Sequence, residues 1–410
     1  MNHLKSGLDN GGNKIFLMFC VLGVFAILSS TMSKNPVLKL FASSLGTPDA
    51  WTGFVAAAST IPGIMVSLPA GSLSDILGRR KLLLISSFVF ASAPFLYLFI
   101  GSWWQLILVR FYHGFATAIF VPVANATIAE LFPQKKGERI STFSSATIIG
   151  RSIAPFMGGY ILVITNNNFH TLYLAVGVAG VTALIIVVPF LFRRGTAPDH
   201  EYSKGTTSLM LQGWKAIARN HGVQLVSFIE ASQYYVYGAV EYFLVGYLKD
   251  VVGLDSFLIG IITGGYLLVV LIFKPMIGRF SDRVGRRIPI ILGAVIGGLP
   301  LMVIPFLTDF ALILFLAIVY GFGFSMVTSS TPALASELVP KTLIGTSMGF
   351  ISTIMDVGQT LGPIICGFII SAGLGYSGLF LSLTLILLFS SAIFALSRIA
   401  RSKENTLKNK

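Results

Sequence analysis

Four side chains that could bind a charged or aromatic ligand recur at helical spacing: Glu230, Tyr234, Tyr237 and Glu241. Steps of four, three and four residues turn an α-helix through about 1,100°, about 20° beyond three full turns, so all four share one face. The two carboxylates would lie about 16 Å apart along the axis. An acidic and aromatic face suits a cationic or amphipathic ligand. The alternative is that Glu241 and the tyrosines lie in the outer interfacial zone of a membrane.

Three further ionisable side chains, Arg110, Arg151 and Asp356, lie inside long apolar runs. An ion in a bilayer core is costly unless it faces protein or a wet cavity, so each marks a candidate site. Asp356 could bind and release a proton, and its alternative is a permanent ion pair with one of the arginines. The candidate proton sites are Glu230 and Asp356. The candidate substrate contacts are Arg151, Tyr234, Tyr237 and Glu241.

The elements that position these residues follow from composition. The 410-residue chain is 54% hydrophobic and 11% charged, with a mean hydropathy of +0.82, so too few charges remain for a soluble surface. Its apolar runs are about 20 residues each, the length that spans a bilayer. The first run is long for a cleaved signal peptide and is expected to be a membrane helix. We predict about twelve spans, near 14–33, 51–73, 82–100, 103–130, 140–164, 169–192, 222–248, 256–277, 288–307, 310–336, 342–370 and 374–398.

A polar motif between two apolar runs occurs twice, and the copies are 207 residues apart. The first copy contains Gly71, Asp75, Gly78, Arg79 and Arg80. The second contains Gly278, Asp282, Gly285, Arg286 and Arg287. The segments 130–133 and 337–340 keep the same offset. Repeats of this kind are a signature of secondary transporters.

The duplication predicts an all-α membrane protein with two pseudo-symmetric six-helix bundles, 14–192 and 222–398. The stretch 193–221 between them is polar, and we expect a cytoplasmic linker with a short amphipathic helix around 209–218. Residues 1–13 and 399–410 are expected to form a cytoplasmic N-terminal segment and a cytoplasmic tail.

The basic residues predict the orientation of the chain. There are 29 lysines and arginines against 16 acidic residues, a net charge of +13. Lys34, Lys39 and Lys249 fall in loops predicted on the outer side, and Arg110 and Arg151 fall within helices. The remaining basic residues lie on the side of both termini, which the positive-inside rule makes cytoplasmic. The excess therefore sets topology in the cell membrane and meets anionic lipid, with no nucleic acid as partner.

The duplicated motif resembles the G-x-L-x-D-x-x-G-R-[RK] pattern of the major facilitator superfamily, and the resemblance covers nearly the whole chain. Phe280 replaces the leucine in the second copy. The resemblance implies a conformational latch that locks the cytoplasmic side while the cavity opens outward. Gly71 and Gly278 would let a neighbouring helix approach, and Asp75 and Asp282 would bond to a facing helix N-terminus. The alternative is that these charges only set topology.

Two further patterns are similar to those of the twelve-helix drug:proton antiporter branch of this superfamily. The segment Arg110–Gly114 resembles R-x-x-x-G, which implies that Arg110 takes part in proton coupling by tuning a nearby acid. The segment 154–159 resembles G-P-x-x-G-G, with Ala154 in place of the first glycine. A kink and close packing at a rocking interface are expected for Pro155, Gly158, Gly159, Gly362 and Pro363.

The function expected is export of small amphipathic compounds in exchange for protons, by alternating access. The sequence has no G-x-x-x-x-G-K-[ST] phosphate loop and no His/Cys cluster with metal-ligand spacing, so we expect no enzyme, no metal and no cofactor besides an ion gradient. Expected partners are a small molecule, protons and lipid, with the chain a monomer. The alternatives are uptake or exchange of a small organic acid, with Arg110 and Arg151 as its ligands, and a non-transporting sensor.

Overall fold

The computed structural model describes residues 2–66, 78–191, 213–340 and 343–397. The regular elements in these ranges are helices, so the protein is an all-α membrane protein. Its membrane helices, about twelve in number, form two pseudo-symmetric six-helix bundles. Gly71 and Asp75 of the first motif lie outside the described residues, as do 193–212 of the predicted linker and the predicted tail 399–410.

The helices of the first half are α1 (Asn2–Met32), α2 (Val37–Ser44), α3 (Asp49–Ala57), α4 (Arg79–Leu96), α5 (Trp103–Leu131), α6 (Lys136–Ile164) and α7 (Phe169–Leu191). Those of the second half are α8 (His221–Asp250), α9 (Ser256–Val284), α10 (Arg287–Val303), α11 (Phe310–Glu337), α12 (Ile344–Ser371) and α13 (Gly375–Leu396). Residues 61–66 continue the second span after α3, and 213–218 are the described, helical part of the predicted linker helix.

Ten segments within the described ranges are long and apolar enough to cross a membrane. The helix α8 has 30 residues, well over the length required, but its acids, tyrosines and glutamines keep it outside that group. The second span begins with α3 and is described as far as residue 66. These two complete the predicted set of about twelve.

The first membrane span is longer than predicted. It was expected to end at residue 33, but the span runs from Gly12 to Ser44 as α1 and α2, with a short turn between them. Pro36 has no amide hydrogen and interrupts the helix, while the amide of Leu38 already bonds to the carbonyl of Lys34 and restarts it. Lys34 and Lys39, predicted in an outer loop, both fall within this longer segment, and Lys39 pairs with Asp250 at the far-side end of α8.

The second span is interrupted in its described part. The helix α3 ends at Ala57, where the amide of Thr60 bonds to the carbonyl of Ala57, one residue closer than in an α-helix. The carbonyl of Ala56 consequently loses its usual helical donor. Pro62, which has no amide hydrogen, lies in the helical segment that follows, 61–66.

The two halves contact each other through glycines. An added Cβ on Gly260 of α9 would lie 2.5 Å from the carbonyl oxygen of Pro155 on α6. One on Gly53 of α3 would lie 2.7 Å from the Cα of Ile364 on α12. The α6–α9 and α3–α12 contacts are equivalent under the repeat. Backbones can approach this closely only where a side chain is absent.

The hydrophobic core is continuous between the halves at one end of the molecule and divided at the other. We call the end at Arg79 and Arg287 the basic side and the opposite end the far side. In the far half, one cluster of buried side chains joins both bundles, including Phe41 and Tyr247. Toward the basic side, the described core consists of separate clusters, one in each bundle. The bundles therefore meet on the far side and part toward the basic side.

Packing of α12 on α8 predicts how two glycines on one helix differ. An added Cβ on Gly362 would lie 3.0 Å from the Cα of Tyr235, whereas one on Gly349 would meet nothing within 4 Å. Gly362→Ala should lower the free energy of unfolding by about 1–3 kcal/mol through overpacking. Gly349→Ala should leave it unchanged or raise it by up to about 1 kcal/mol through helix propensity. Thermal unfolding of the detergent-purified variants measures both, and equal effects would contradict this packing.

Candidate functional site in the membrane

Arg110 of α5 is tied to the interrupted second span. Its Nε donates to the carbonyl of Val55 (3.1 Å) and its Nη2 to Ser59 Oγ (2.6 Å), with a longer bond to the Ala56 carbonyl (3.5 Å). The side chain is 1% exposed. These bonds satisfy carbonyls that the break in α3 leaves open. None of them goes to an acid, so a structural role for Arg110 is visible directly, while its part in proton coupling stays a prediction.

Glu230 of α8 is 3% exposed and shares a hydrogen bond with Thr331 of α11. The Thr331 hydroxyl also lies 3.0 Å from the carbonyl of Val327. A single hydroxyl hydrogen cannot serve both acceptors. Either an ionised Glu230 accepts from Thr331, or a protonated Glu230 donates to Thr331 and Thr331 donates to Val327. The site therefore accommodates both protonation states with one rotation of a hydroxyl.

Asp356 of α12 lies where the two bundles meet. An added Cβ on Gly63 in the second span would lie 2.6 Å from Asp356 Oδ2, and Thr60 and Thr360 share a hydrogen bond of 2.7 Å beside it. Asp356 is half-buried. Arg110 bonds to Val55, Ala56 and Ser59 of the second span, and Arg151 makes no ion pair with a described residue.

Open space and exposed polar side chains on α12 and α6 indicate an approach from the basic side toward Asp356. Along α12, Gly345 and Gly349 border open space, and Ser352 is exposed. On α6, exposed polar side chains toward the basic side include Ser141, Thr142 and Ser145. Polar side chains at these depths of a membrane helix face a cavity rather than lipid.

Arg151 of α6 ends this approach near the middle of the membrane. It is exposed, although it lies about 22 Å from the start of its helix. Among the described residues it has no hydrogen bond or ion pair. Its guanidinium is close enough to interact electrostatically with Tyr234, Tyr237 and Glu241 of α8. It also interacts with Tyr266 of α9. The predicted face of α8 and Arg151 are thus brought together across the two bundles.

The aromatic part of that face packs against α11. The ring centroids of Tyr234 and Tyr237 are 5.8 Å apart, and that of Phe324 lies 5.1 Å from Tyr237 in a stacked arrangement. Tyr237 is buried and Tyr234 is half-buried. Glu241, half-buried nearby, makes no hydrogen bond or ion pair with a described residue.

Two lysines within the spans were missed as functional candidates by the sequence analysis. Lys34 lies in the turn between α1 and α2, and Lys274 lies within α9, and both are half-buried. The ammonium group of Lys34 is close enough to interact electrostatically with four charged residues: Glu241, Arg110, Arg151 and Asp356. Lys274 could have been recognised from its place inside the predicted apolar run 256–277. The sequence analysis instead grouped it with the basic residues on the side of both termini. Away from the ends of the described spans, seven charged residues therefore come into consideration: Lys34, Arg110, Arg151, Lys274, Glu230, Glu241 and Asp356.

The duplicated motif forms equivalent turns in both halves. Gly78 and Gly285 have φ of 86° and 88°, a conformation that favours glycine. Arg79 pairs with Glu130, and Arg286 pairs with Asp282 and with Glu337 (3.2 Å). These pairs join helices of the same bundle. The expectation that Gly278 lets a neighbouring helix approach is wrong for this conformation, because an added Cβ there would meet nothing within 4 Å.

The remaining motif residues lie close to their expected places. Arg80 stacks on the ring of Phe190 at 5.6 Å, and Arg287 donates to the carbonyl of Ala395 (3.1 Å). Pro155 and Pro363 lie inside helices that stay continuous. Gly159 of α6 packs against the backbone at Ser256 and Phe257 of α9, whereas an added Cβ on Gly158 would meet only ordinary contacts at 3.5 Å with α1, α2 and the turn between them.

Comparison with known proteins agrees with this arrangement. The sequence profile of the Major Facilitator Superfamily matches residues 18–245 and again 226–410. The chain belongs to this superfamily. Members of the superfamily are membrane transporters rather than enzymes, so the helices, the cavity and the charged residues described above are those of a multi-pass transporter.

Individual members of the superfamily are similar over nearly the full length. The multidrug resistance protein MdtG of Enterobacter lignolyticus is 25% identical over 388 residues, which cover 92% of this chain and 90% of that protein. An uncharacterized MFS-type transporter of Methanocaldococcus jannaschii is 22% identical over 340 residues, covering 82% and 86%. The inward-facing, unoccupied structure of a bacterial homolog to the human lysosomal transporter Spinster has a TM-score of 0.77 at 14% identity, covering 95% and 97%. That last likeness concerns the fold.

The contacts of the two membrane arginines predict effects of different size on the free energy of unfolding. Arg110→Met removes charged hydrogen bonds to Val55 and Ser59 and should lower the free energy of unfolding by about 3 kcal/mol. Arg151→Met removes no hydrogen bond to a described residue and should change it by less than about 1 kcal/mol. Thermal unfolding in detergent compares the two. A larger loss in the Arg151 variant would contradict the assignment.

Proposed function

We propose that this protein exports small amphipathic compounds in exchange for protons, by alternating access of a central cavity. The observation that carries the proposal is the location of Asp356. It is an acid near the middle of the membrane, at the contact between the bundles and at the end of the open approach. Its protonation state can therefore respond to whichever side the cavity faces. The similarity to a multidrug resistance protein supports the class of substrate.

In alternating access, the two bundles would move relative to each other as units. Their cores are joined on the far side and separate toward the basic side. The far half closes through the glycine contacts and through the pair of Lys39 and Asp250, whose N···O distance is 3.6 Å. In the opposite state the bundles would part there and meet on the basic side. The duplicated motif would then act as the latch, with Arg79 and Arg286 held ready by Glu130 and Glu337.

Proton exchange would involve Glu230 as well as Asp356. The hydroxyl of Thr331 stabilises either protonation state of Glu230, so a proton can enter or leave without a large rearrangement. In the proposed cycle, protonation of these acids competes with binding of the substrate. The driving force is the ion gradient, with no bound cofactor.

The proposed setting is the cytoplasmic membrane, with both termini and the linker 193–221 on the cytoplasmic side. The concentration of lysine and arginine on the basic side supports this orientation. We expect a monomer surrounded by lipid, because one chain contains both bundles.

Proton movement in proteoliposomes tests the coupling. With a pH dye inside and a proton gradient imposed, adding an amphipathic compound should release protons, and Asp356→Asn should abolish the signal. Glu230→Gln should reduce it at least about tenfold, if each acid contributes one coupled proton step. Asp309→Asn is the matched control, because Asp309 caps α11 and asparagine caps equally well. A full signal in Asp356→Asn would overturn the assignment.

A reversible cross-link tests alternating access. The hydroxyls of Thr60 and Thr360 are 2.7 Å apart across the bundle contact. In a background without Cys20 and Cys366, the double variant Thr60→Cys/Thr360→Cys should form a disulfide on oxidation and lose transport. Reduction should restore it. The single-cysteine variants should keep activity throughout, and transport that survives complete cross-linking would exclude separation of the bundles at this contact.

A further inference from the structure

The charges at the top of the open approach are arranged by sign across the two bundles. Lys34 and Arg151 belong to the first bundle, and Glu241 belongs to the second. Each lies within electrostatic range of the other two. Among the described residues, none of the three forms an ion pair or a side-chain hydrogen bond. Ions at this depth need partners, so a ligand can supply what the protein leaves open.

The repeat places two of these charges at equivalent positions. Lys34 and Glu241 are 207 residues apart, the same offset that relates the duplicated motif. One occupies the turn after α1 in the first bundle and the other occupies α8, the first helix of the second. The two bundles thus present a base and an acid to one another at one structural position. A ligand between them meets opposite charges at its two ends.

Buried polar groups and rings surround the three charges. Asn35, next to Lys34, is fully buried, and its side-chain amide nitrogen donates to the hydroxyl of Tyr266 (3.5 Å). The side-chain amide oxygen of Asn35, Oδ1, has no hydrogen-bond partner among the described residues. The hydroxyl of Tyr320 is likewise buried without one, and its ring lies 5.6 Å from Tyr266. The stacked rings of Tyr237 and Phe324 are close by. Unsatisfied donors and acceptors beside an aromatic wall are typical of a binding site for a small molecule.

We propose that the cavity takes an amphipathic zwitterion, with its acidic group held by Lys34 and Arg151, its basic group by Glu241, and its apolar part by the aromatic wall. A plain cation supplies no acidic group to Lys34 and Arg151, and a plain anion supplies no basic group to Glu241. A zwitterion satisfies all three and joins the two bundles. The inference rests on the proposed function, because it names the class of compound that would be exported.

Four probes with one skeleton test the charge requirement. They are 2-amino-5-phenylpentanoic acid, which is a zwitterion, its amide (a cation), its N-acetyl derivative (an anion) and its N-acetyl amide (neutral). Calorimetric titration of the purified full chain needs no gradient. We expect the zwitterion to bind at least about tenfold more tightly than each of the others. Tightest binding of the cation would overturn the proposal, as would no binding of any probe up to about 10 mM.

Variants of the three residues should change this preference in a crossed pattern. Lys34→Met and Arg151→Gln should remove the advantage of the zwitterion over its amide, because the acidic group loses its partners. Glu241→Gln should remove the advantage over the N-acetyl derivative and leave the advantage over the amide. A variant that failed to fold would lose all binding and could not produce this pattern. Lys249→Met, an exposed lysine on the far side, is the control and should bind like the unaltered protein.

The two proposals fail in distinguishable ways. If the binding order holds but proteoliposomes show no proton release, export coupled to protons is wrong and the zwitterion site stands. If plain cations release protons and the zwitterion has no advantage in titration, the coupling stands and the zwitterion site is wrong. Equal affinities in the unaltered protein and in the Lys34 and Arg151 variants would also remove the site.

Discussion

An ionised side chain inside a bilayer must find a protein partner or water, and the architecture of this transporter follows from how its seven intramembrane charges meet that requirement. Arg110 donates to the carbonyl of Val55 and the hydroxyl of Ser59, at a point where the second span breaks and releases carbonyls. Arg151 has no such partners and is exposed instead. The same chemical group therefore stabilises the fold in one helix and marks a wet cavity in another.

Close packing of backbones supports the charged interior. The α6–α9 and α3–α12 contacts place glycine against the main chain of the opposite bundle, which leaves little lateral freedom on the far side. Such contacts are dispersive and carry no charge, and the Lys39–Asp250 ion pair, whose acid is exposed, joins them on the far side. The hydrophobic core of the described residues has the same arrangement. One cluster joins both bundles on the far side, and each bundle has its own cluster toward the basic side. A hinge between two rigid bundles is the natural motion of such a structure.

Much of the architecture could be predicted from the chain alone, because its signals are local. Hydropathy located the spans, the 207-residue repeat separated the halves, and the spacing of Glu230, Tyr234, Tyr237 and Glu241 placed them on one helical face. The first span was misjudged where a proline interrupts a helix that then resumes. That error moved Lys34 from a loop into the membrane and hid its relation to Glu241, although both lie at the repeat offset.

The sequence by itself determined the class of protein, its twofold construction and the set of intramembrane charges, because these depend on composition and on spacing along the chain. Only the tertiary structure decided which charges meet. Helix rotation and tilt set whether Arg110 faces a carbonyl or Arg151 faces water, and they are fixed by packing against helices distant in sequence. Partners such as Thr331 for Glu230, or Gly63 beside Asp356, leave no mark in the local pattern, since their proximity arises only when the bundles assemble.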